Sequence, residues 1–274
     1  MPTPHDPATG AGGHDPLVHS DADASRIPLL EYDADPTDFV GDGWRGREAV
    51  ILPRRGVITF LGEATRHWVE EQGFTAATVV DTVTRDYPIW VGDHQGVEVA
   101  VADAPICAPA ATIVLERMFM LGVDTIVATG SCGALVPHEV GTFLVPTRAL
   151  RDEGTSFHYL PASRWIETDP EVRAACEAAI TGRGLKYTEC ATWTTDGFLR
   201  ETRAKVEARR AEGCETVEME CAAFAAVAQF RGARFGQILY SADTLAGEQH
   251  DVRGWGHTFR DTALSLALDA VARA

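Results

Sequence analysis

Short apolar runs that end in glycine alternate with helical segments over residues 49–274, and this alternation leaves few folds open to the chain. The run 56–62 (GVITFLG) precedes a segment with helical spacing. Strand patterns follow at 75–80, 87–104 and 125–130, and the second contains a hairpin turn at GDHQG. Because no linker rich in Ser, Gly or Pro interrupts the alternation, it predicts one α/β domain around a largely buried sheet.

Helix boundary signals support this interpretation. The segment 109–122 has Pro near its start, apolar residues at helical spacing and a closing Gly. Asp169 and Pro170 open another helix, because Asp caps the free N–H groups of a first turn. Late in the chain, three further helices are predicted at ETRAKVEARRAEG, EMECAAFAAVAQFRG and RDTALSLALDAVARA. Further strands are predicted at 141–150 and 235–243.

The first 25 residues consist mainly of Pro, Gly, Ala, Asp and His, with almost no large apolar side chains. Such a segment cannot bury enough surface to offset the entropy of ordering, so 1–25 is predicted to be a disordered tail before a domain at 26–274. The segment also has no basic stretch followed by an apolar one, the pattern of a secretory signal.

Charge and hydropathy exclude several classes of function. The chain has 24 Lys plus Arg against 40 Asp plus Glu, a formal charge of −16, which disfavours nucleic acid and acidic membranes as partners. No apolar run approaches the roughly 18 to 20 residues of a membrane span, and we expect a cytoplasmic protein. The six cysteines form no CxxC pair, so neither a metal site nor a disulfide framework is predicted.

Four predicted strand exits carry polar residues, and in α/β sheets ligands bind beyond the carboxyl ends of strands. Each exit also has a plainer structural interpretation, as a glycine turn, a surface arginine, a helix cap or carboxylates that stabilise a helix dipole. The exits are GEATR with Gly62 and Arg66, GSCGALVPHEVG with Ser131, VEMECAAF with Glu218 and Glu220, and the end of FGQILYS with Asp243.

Taken together, these segments resemble one family. GEATR, GSCGALVPHEVG, LRDEGTSFHYLP, VEMECAA and SADTL, in this order, are similar to the nucleoside phosphorylase family of uridine phosphorylases, hexameric purine nucleoside phosphorylases and nucleosidases. The resemblance covers about 49–274. It implies a single-domain α/β fold with a twisted, mixed, partly barrel-like sheet flanked by helices. It also implies a homodimer or homohexamer whose active sites are shared across an interface.

The resemblance implies roles for individual residues. Gly62, Arg66 and Ser131 match phosphate-binding positions, and Arg85 matches the arginine that the family lends across the interface to phosphate. Glu220, preceded by Met219, matches the carboxylate that binds the ribose hydroxyls.

The sugar and base ends of the site are implied in the same way. His158 resembles a position near the sugar pocket, although a structural histidine is an equal alternative. Phe198 resembles the aromatic residue that stacks on the base, and Asp243 matches the acid that protonates or binds N7 of a purine. The segment GEQHDVRGWGH itself, rather than the resemblance, makes Arg253 a candidate for a loop that closes over the base as a lid, with a surface position as the equal alternative.

The chain also departs from the family pattern. Ala128 stands where phosphorylases carry an arginine, whose loss costs on the order of 1.5 to 3 kcal/mol in phosphate binding. Arg148 and Arg151 are candidates to replace that charge, or they form salt bridges with nearby carboxylates. The loop APICAPAA replaces glycines that the family places near ribose and phosphate.

The expected function is therefore a nucleoside phosphorylase that cleaves a purine nucleoside with phosphate to give free base and ribose 1-phosphate. Nucleoside and phosphate are the expected partners, with phosphate as co-substrate and no metal or organic cofactor. Ala128 keeps open a nucleoside hydrolase of the same fold, and the altered APICAPAA loop keeps open a catalytically weak nucleoside-binding protein.

Overall fold

The computed structural model describes residues 27–44 and 50–274, so the predicted tail at 1–25 lies outside the described residues. The helices are α1 Phe39–Trp44, α2 Glu63–Glu71, α3 Ala108–Met120, α4 Ser156–Tyr159, α5 Pro170–Gly182, α6 Arg203–Ala211, α7 Cys221–Arg231 and α8 Arg260–Arg273. The strands are β1 Arg55–Thr59, β2 Thr75–Val80, β3 Tyr87–His94, β4 Val97–Asp103, β5 Thr125–Ala134, β6 Phe143–Asp152, β7 Trp165–Glu167, β8 Tyr187–Thr195, β9 Cys214–Glu218 and β10 Arg234–Thr244. Short 3-10 segments lie at Pro28–Leu30, Phe198–Arg200 and Arg253–Phe259.

One mixed sheet contains all of these strands, and part of it closes into a barrel. Strands β10, β6, β8, β9 and β5 follow one another, and a pairing between β10 and β5 closes the ring. From β5 the sheet continues outward through β1, β4, β3 and β2. β5 runs parallel to β1 and β10 and antiparallel to β9. The predicted single-domain α/β fold with a mixed, partly barrel-like sheet is confirmed.

Helices cover both faces of the sheet because successive strand residues point in opposite directions. Ile58 of β1 packs into an apolar cluster with α3 and α7, whereas its neighbour Val57 packs into a second cluster with α5 and α8. The same alternation sends Ala128 of β5 to the α3 and α7 side and Val127 to the α5 and α8 side. The face on which a β5 side chain lies therefore decides which helices it meets.

Two local predictions are confirmed. The Asp169 carboxylate accepts hydrogen bonds at 3.0 Å from the backbone N–H groups of Glu171 and Val172, and so caps α5. Gln95 and Gly96, both with positive φ, form the two-residue turn between β3 and β4.

Strands β8 and β9 were not predicted from the sequence. The β8 segment YTECATWTT is rich in Thr and lacks a clear apolar pattern, yet Thr192 and Thr194 are fully buried. Their hydroxyls lie within reach of a buried carboxylate on β9, which explains how polar side chains occupy an interior strand. Among the described residues, no helix is long and apolar enough to cross a membrane.

The α5 cap gives a test of the fold. Replacing Asp169 with Ala leaves two N–H groups of the first helical turn unpaired and should lower the free energy of unfolding by about 1 kcal/mol. Asp169→Asn keeps the accepting oxygen and serves as the matched control. Urea unfolding curves measure both variants, and equal losses in the two would contradict a capping role.

Candidate functional site

A cavity lies where the chain leaves β5, β9 and β10. It brings together Ser131, Phe198, Met219, Glu220 and Asp243, which come from four separate segments of the sequence. Gly133 of β5 lies between Val217 of β9 and Asp243 of β10 in the sheet. A Cβ atom at Gly133 would lie 2.9 Å from a Val217 methyl carbon, so the glycine allows the strands to converge here.

Two carboxylates at the start of α7 have different surroundings. Glu218 accepts hydrogen bonds from the backbone N–H groups of Glu220 and Cys221 at 2.8 and 2.7 Å, and from the Thr194 hydroxyl at 2.5 Å. Burial raises the pKa of Glu218, and these three donors oppose that rise. Glu218 therefore anchors the junction between β9 and α7, and Thr194 also binds the N–H of Ala222.

Glu220 lines the cavity and accepts hydrogen bonds from backbone N–H groups. Its Oε1 accepts a hydrogen bond of 2.6 Å from the N–H of Cys107. Burial raises the pKa of Glu220, and the nearby charge of Glu218 raises it further. A buried carboxylate of this kind gains from hydroxyl donors, which stabilise its charged form.

Cys107, in the altered APICAPAA loop, adopts φ +82°, a conformation that is rare for any residue except glycine. Such a conformation costs on the order of 1 to 3 kcal/mol and persists where the surrounding structure enforces it. Here it aims the Cys107 N–H at Glu220 and begins α3. The loop therefore positions the Glu220 carboxylate although it lacks the family's glycines.

Asp243 also lines the cavity, after a bulge in β10. Its Oδ2 is 2.7 Å from Nε2 of His250. Glu201 lines the same cavity, and burial together with the charge of Asp243 raises the pKa of Glu201 to about 7. Sequence reasoning missed Glu201 and His250, because neither lies in a recognisable motif.

Aromatic side chains also border the cavity. Phe198, in a 3-10 turn, and Trp255, from the 253–259 segment, both line it and are each less than half exposed. The Trp255 ring packs edge-on against His250. The Arg253 guanidinium donates hydrogen bonds to the carbonyl oxygens of His138 and Asp243 and to the Ser241 hydroxyl, so it ties this segment to β10.

The Gly62 turn has an unexpected partner. The Asp103 carboxylate at the end of β4 accepts hydrogen bonds from the backbone N–H groups of Gly62 at 2.8 Å and Leu61 at 3.2 Å. Arg66 forms an ion pair with Glu63. Neither Gly62 nor Arg66 lines the cavity, and their predicted role in phosphate binding remains a prediction.

Two more predicted residues lie outside the cavity in this single chain. Arg85 is exposed between β2 and β3 and stacks on Tyr87. His158 lines a separate depression with Tyr159 and Arg231. Their proposed roles, in phosphate binding across an interface and near the sugar, stay predictions.

The arginines that were candidates to replace the charge missing at Ala128 have other contacts. Arg151 donates hydrogen bonds to Ser156, Ser163 and two carbonyl groups of the 160–161 segment. Arg148 stacks on Trp165. Both therefore stabilise the region after β6.

Comparison with known proteins gives a family and a fold. The family model described as the phosphorylase superfamily matches residues 54–273. A uridine phosphorylase of Thermococcus kodakarensis is 33% identical over 115 residues. The match covers 42% of this chain and 42% of that protein, which is less than half of either. A guanosine phosphorylase of Halorubrum lacusprofundi is 28% identical over 167 residues, 60% of this chain and 69% of that protein. The solved structure of a purine nucleoside phosphorylase from Toxoplasma gondii superposes with a TM-score of 0.70 at 20% identity, over 81% of this chain and 91% of the other.

The raised pKa of Glu201 predicts a pH effect on stability. A carboxyl whose pKa rises from its ordinary value to about 7 on folding stabilises the fold below about pH 4.5, and this contribution is lost as the pH rises through 7. In the wild type, the free energy of unfolding should therefore fall by on the order of 1 to 3 kcal/mol between about pH 4.5 and pH 7 because of this carboxyl. Glu201→Gln should remove this part of the fall. Urea unfolding at several pH values measures it. The exposed Glu207→Gln is the control, and an unchanged slope in Glu201→Gln would contradict the assignment.

Proposed function

The chain belongs to the phosphorylase superfamily, and we propose that it is a nucleoside phosphorylase acting on a purine nucleoside. The observation that carries this proposal is the cavity that gathers Phe198, Met219, Glu220 and Asp243 beside Ser131. Carboxylates that bind the sugar hydroxyls and assist the base, with an aromatic ring to pack against the base, suit cleavage of an N-glycosidic bond.

The ribose binds at Glu220 in this proposal. Its 2′- and 3′-hydroxyls donate hydrogen bonds to the Glu220 carboxylate, which the Cys107 N–H holds from the other side. As the bond to the base breaks, the sugar gains positive charge. The carboxylates of the cavity stabilise that charge more strongly than the neutral ground state, so they lower the barrier.

The base leaves at the Asp243 end. The departing purine gains negative charge, which a proton on N7 neutralises. Glu201, with a pKa of about 7, carries that proton in a large fraction of molecules near neutrality and lies beside Asp243. Asp243, held by His250, directs the proton and the hydrogen bond to the base, while Phe198 and Trp255 pack against the ring.

Phosphate attacks the anomeric carbon from the Ser131 side and gives ribose 1-phosphate. Hydrolysis is the second candidate, and one observation favours it. Asp103 already accepts the N–H groups of Leu61 and Gly62, which removes two backbone donors from an anion. Water as the nucleophile would give free ribose.

The first experiment measures release of free base from purine and pyrimidine nucleosides, with and without phosphate, and identifies the sugar product by mass. We expect phosphate-dependent release of a purine with ribose 1-phosphate. Phosphate-independent release with free ribose would establish the hydrolase instead. No release from any nucleoside would contradict both and favour the binding protein.

Asp243→Asn tests the assignment of the leaving-group end. It should lower kcat for a purine nucleoside by about 100-fold or more, because Asn cannot direct the proton that Glu201 carries to N7 of the base. Activity toward a nitrophenyl riboside, whose leaving group needs no proton, should fall far less. Equal losses on both substrates would mean that Asp243 acts on the fold rather than on the base.

Glu220→Gln tests the ribose end. The variant keeps the size of the side chain but replaces one accepting oxygen with a donor, so kcat/KM for the ribonucleoside should fall by about 10-fold to 100-fold. The penalty should shrink for the 2′-deoxynucleoside, which lacks one of the hydroxyl donors. A loss of the same size for both nucleosides would contradict the contact.

A further inference from the structure

Arg260 is the first residue of α8, the helix that packs against the Val127 face of β5. Odd-numbered residues of β5 face α8, since Val127 packs in the cluster formed with that helix. Ser131 lies four residues further along and so occupies the same face. Tyr240 of β10 lies directly opposite Ser131 in the pairing of β10 with β5. Burial raises the pKa of the Tyr240 hydroxyl, and hydrogen bonds with Arg260 and Ser131 oppose that rise.

The same guanidinium reaches the Gly62 turn. One Arg260 terminal nitrogen, Nη1, donates a 3.4 Å hydrogen bond to the carbonyl oxygen of Leu61. Its Nε is buried and has no hydrogen-bond partner among the described residues. Within residues 27–44 and 50–274, no carboxylate forms an ion pair with Arg260. An Arg that is buried in part and keeps a donor unused is suited to an oxyanion ligand.

The other groups at the Gly62 turn that are able to bind an anion already have carboxylate partners. Arg66 is paired with Glu63, although its own Nε also lacks a partner in the described chain. The backbone donors of Leu61 and Gly62 are held by Asp103. An anion at Ser131 must therefore draw its positive charge mainly from side chains, and Arg260 is the guanidinium tied to Ser131 through Tyr240.

Ala128 has no charge to offer to an anion at Ser131. Because Ala128 lies on the opposite face of β5, a residue of α8 is able to approach Ser131 without meeting it. Ala128 is buried on the opposite face of β5, in the cluster with α3 and α7. A guanidinium from α8 approaches Ser131 from the other face and needs no space on the Ala128 side. We propose that Arg260, with the Ser131 hydroxyl, binds the phosphate co-substrate and supplies the positive charge that Ala128 lacks. This proposal rests on the proposed phosphorolysis.

Steady-state kinetics test the assignment. Base release is measured while inorganic phosphate and nucleoside are varied in turn, for the wild type and for Arg260→Gln and Arg260→Lys. Arg260→Gln should raise the KM for phosphate by about 10-fold or more, because a charge-assisted contact is lost, and leave the KM for nucleoside within about twofold. Arg260→Lys should recover part of the phosphate affinity. Arg273→Gln, at the other end of α8, is the control and should match the wild type.

A binding measurement does not depend on turnover. Phosphate should raise the thermal unfolding temperature of the wild type and of Arg273→Gln, since a ligand that binds only the folded state stabilises it. The shift should be lost in Arg260→Gln. Asp103→Asn, which removes a negative charge at the turn, should increase the shift.

The outcomes separate the two proposals. If the wild type needs phosphate and Arg260→Gln keeps the wild-type phosphate KM and thermal shift, the Arg260 assignment is wrong while phosphorolysis stands. If the wild type releases base without phosphate, phosphorolysis is wrong. If, in addition, phosphate raises the unfolding temperature of the wild type and of Arg260→Gln equally, or of neither, the anion site at Arg260 is wrong as well. If Arg260→Gln impairs only cleavage of a nucleoside 5′-monophosphate, the arginine binds the substrate's own phosphate and the assignment to the co-substrate is overturned.

Discussion

The pairing of β5 with three neighbouring strands is the constraint on which the rest of the site depends. Parallel hydrogen bonding to β10 closes the barrel, parallel pairing with β1 starts the open part of the sheet, and a short antiparallel pairing with β9 joins them. Ser131, Glu218 and Asp243 come together because their strands end around Gly133. Any larger residue at Gly133 would meet Val217 of β9, so the convergence depends on the absence of a side chain there.

Charge is distributed unevenly around this point. Glu201, Glu218, Glu220 and Asp243 surround the cavity, and burial raises the pKa of the first three. Ser131 lines the same cavity, and Tyr240 links Ser131 to Arg260 of α8. Carboxylates suited to a sugar that becomes positive and a base that accepts a proton therefore lie close to a guanidinium suited to an anion. The two kinds of charge can lie so close together because different elements contribute them, Glu218 and Asp243 from β9 and β10 and Arg260 from the start of α8.

Motifs with local signals were predicted well. The hairpin turn at Gln95 and Gly96 and the cap at Asp169 are set by contacts within a few residues, and the structure confirms both. The roles given to Glu220, Phe198 and Asp243 remain predictions, but these residues do line one cavity. Glu201, His250, Asp103 and Arg260 were missed, because each acquires its importance only from a partner more than six residues away in the sequence.

The sequence by itself determined most of the order of strands and helices, although not strands β7, β8 and β9, and it determined the family resemblance and the identity of the strand-exit residues. These follow from apolar periodicity and turn chemistry, which are local properties. The tertiary structure alone decided that the Gly62 turn is occupied by Asp103, that Cys107 holds Glu220, and that Arg260 of α8 shares the neighbour Tyr240 with Ser131. The physical reason is that hydrogen bonding and electrostatic contact depend on distances of a few ångströms between strands and helices that are remote in the chain, and only sheet closure sets those distances.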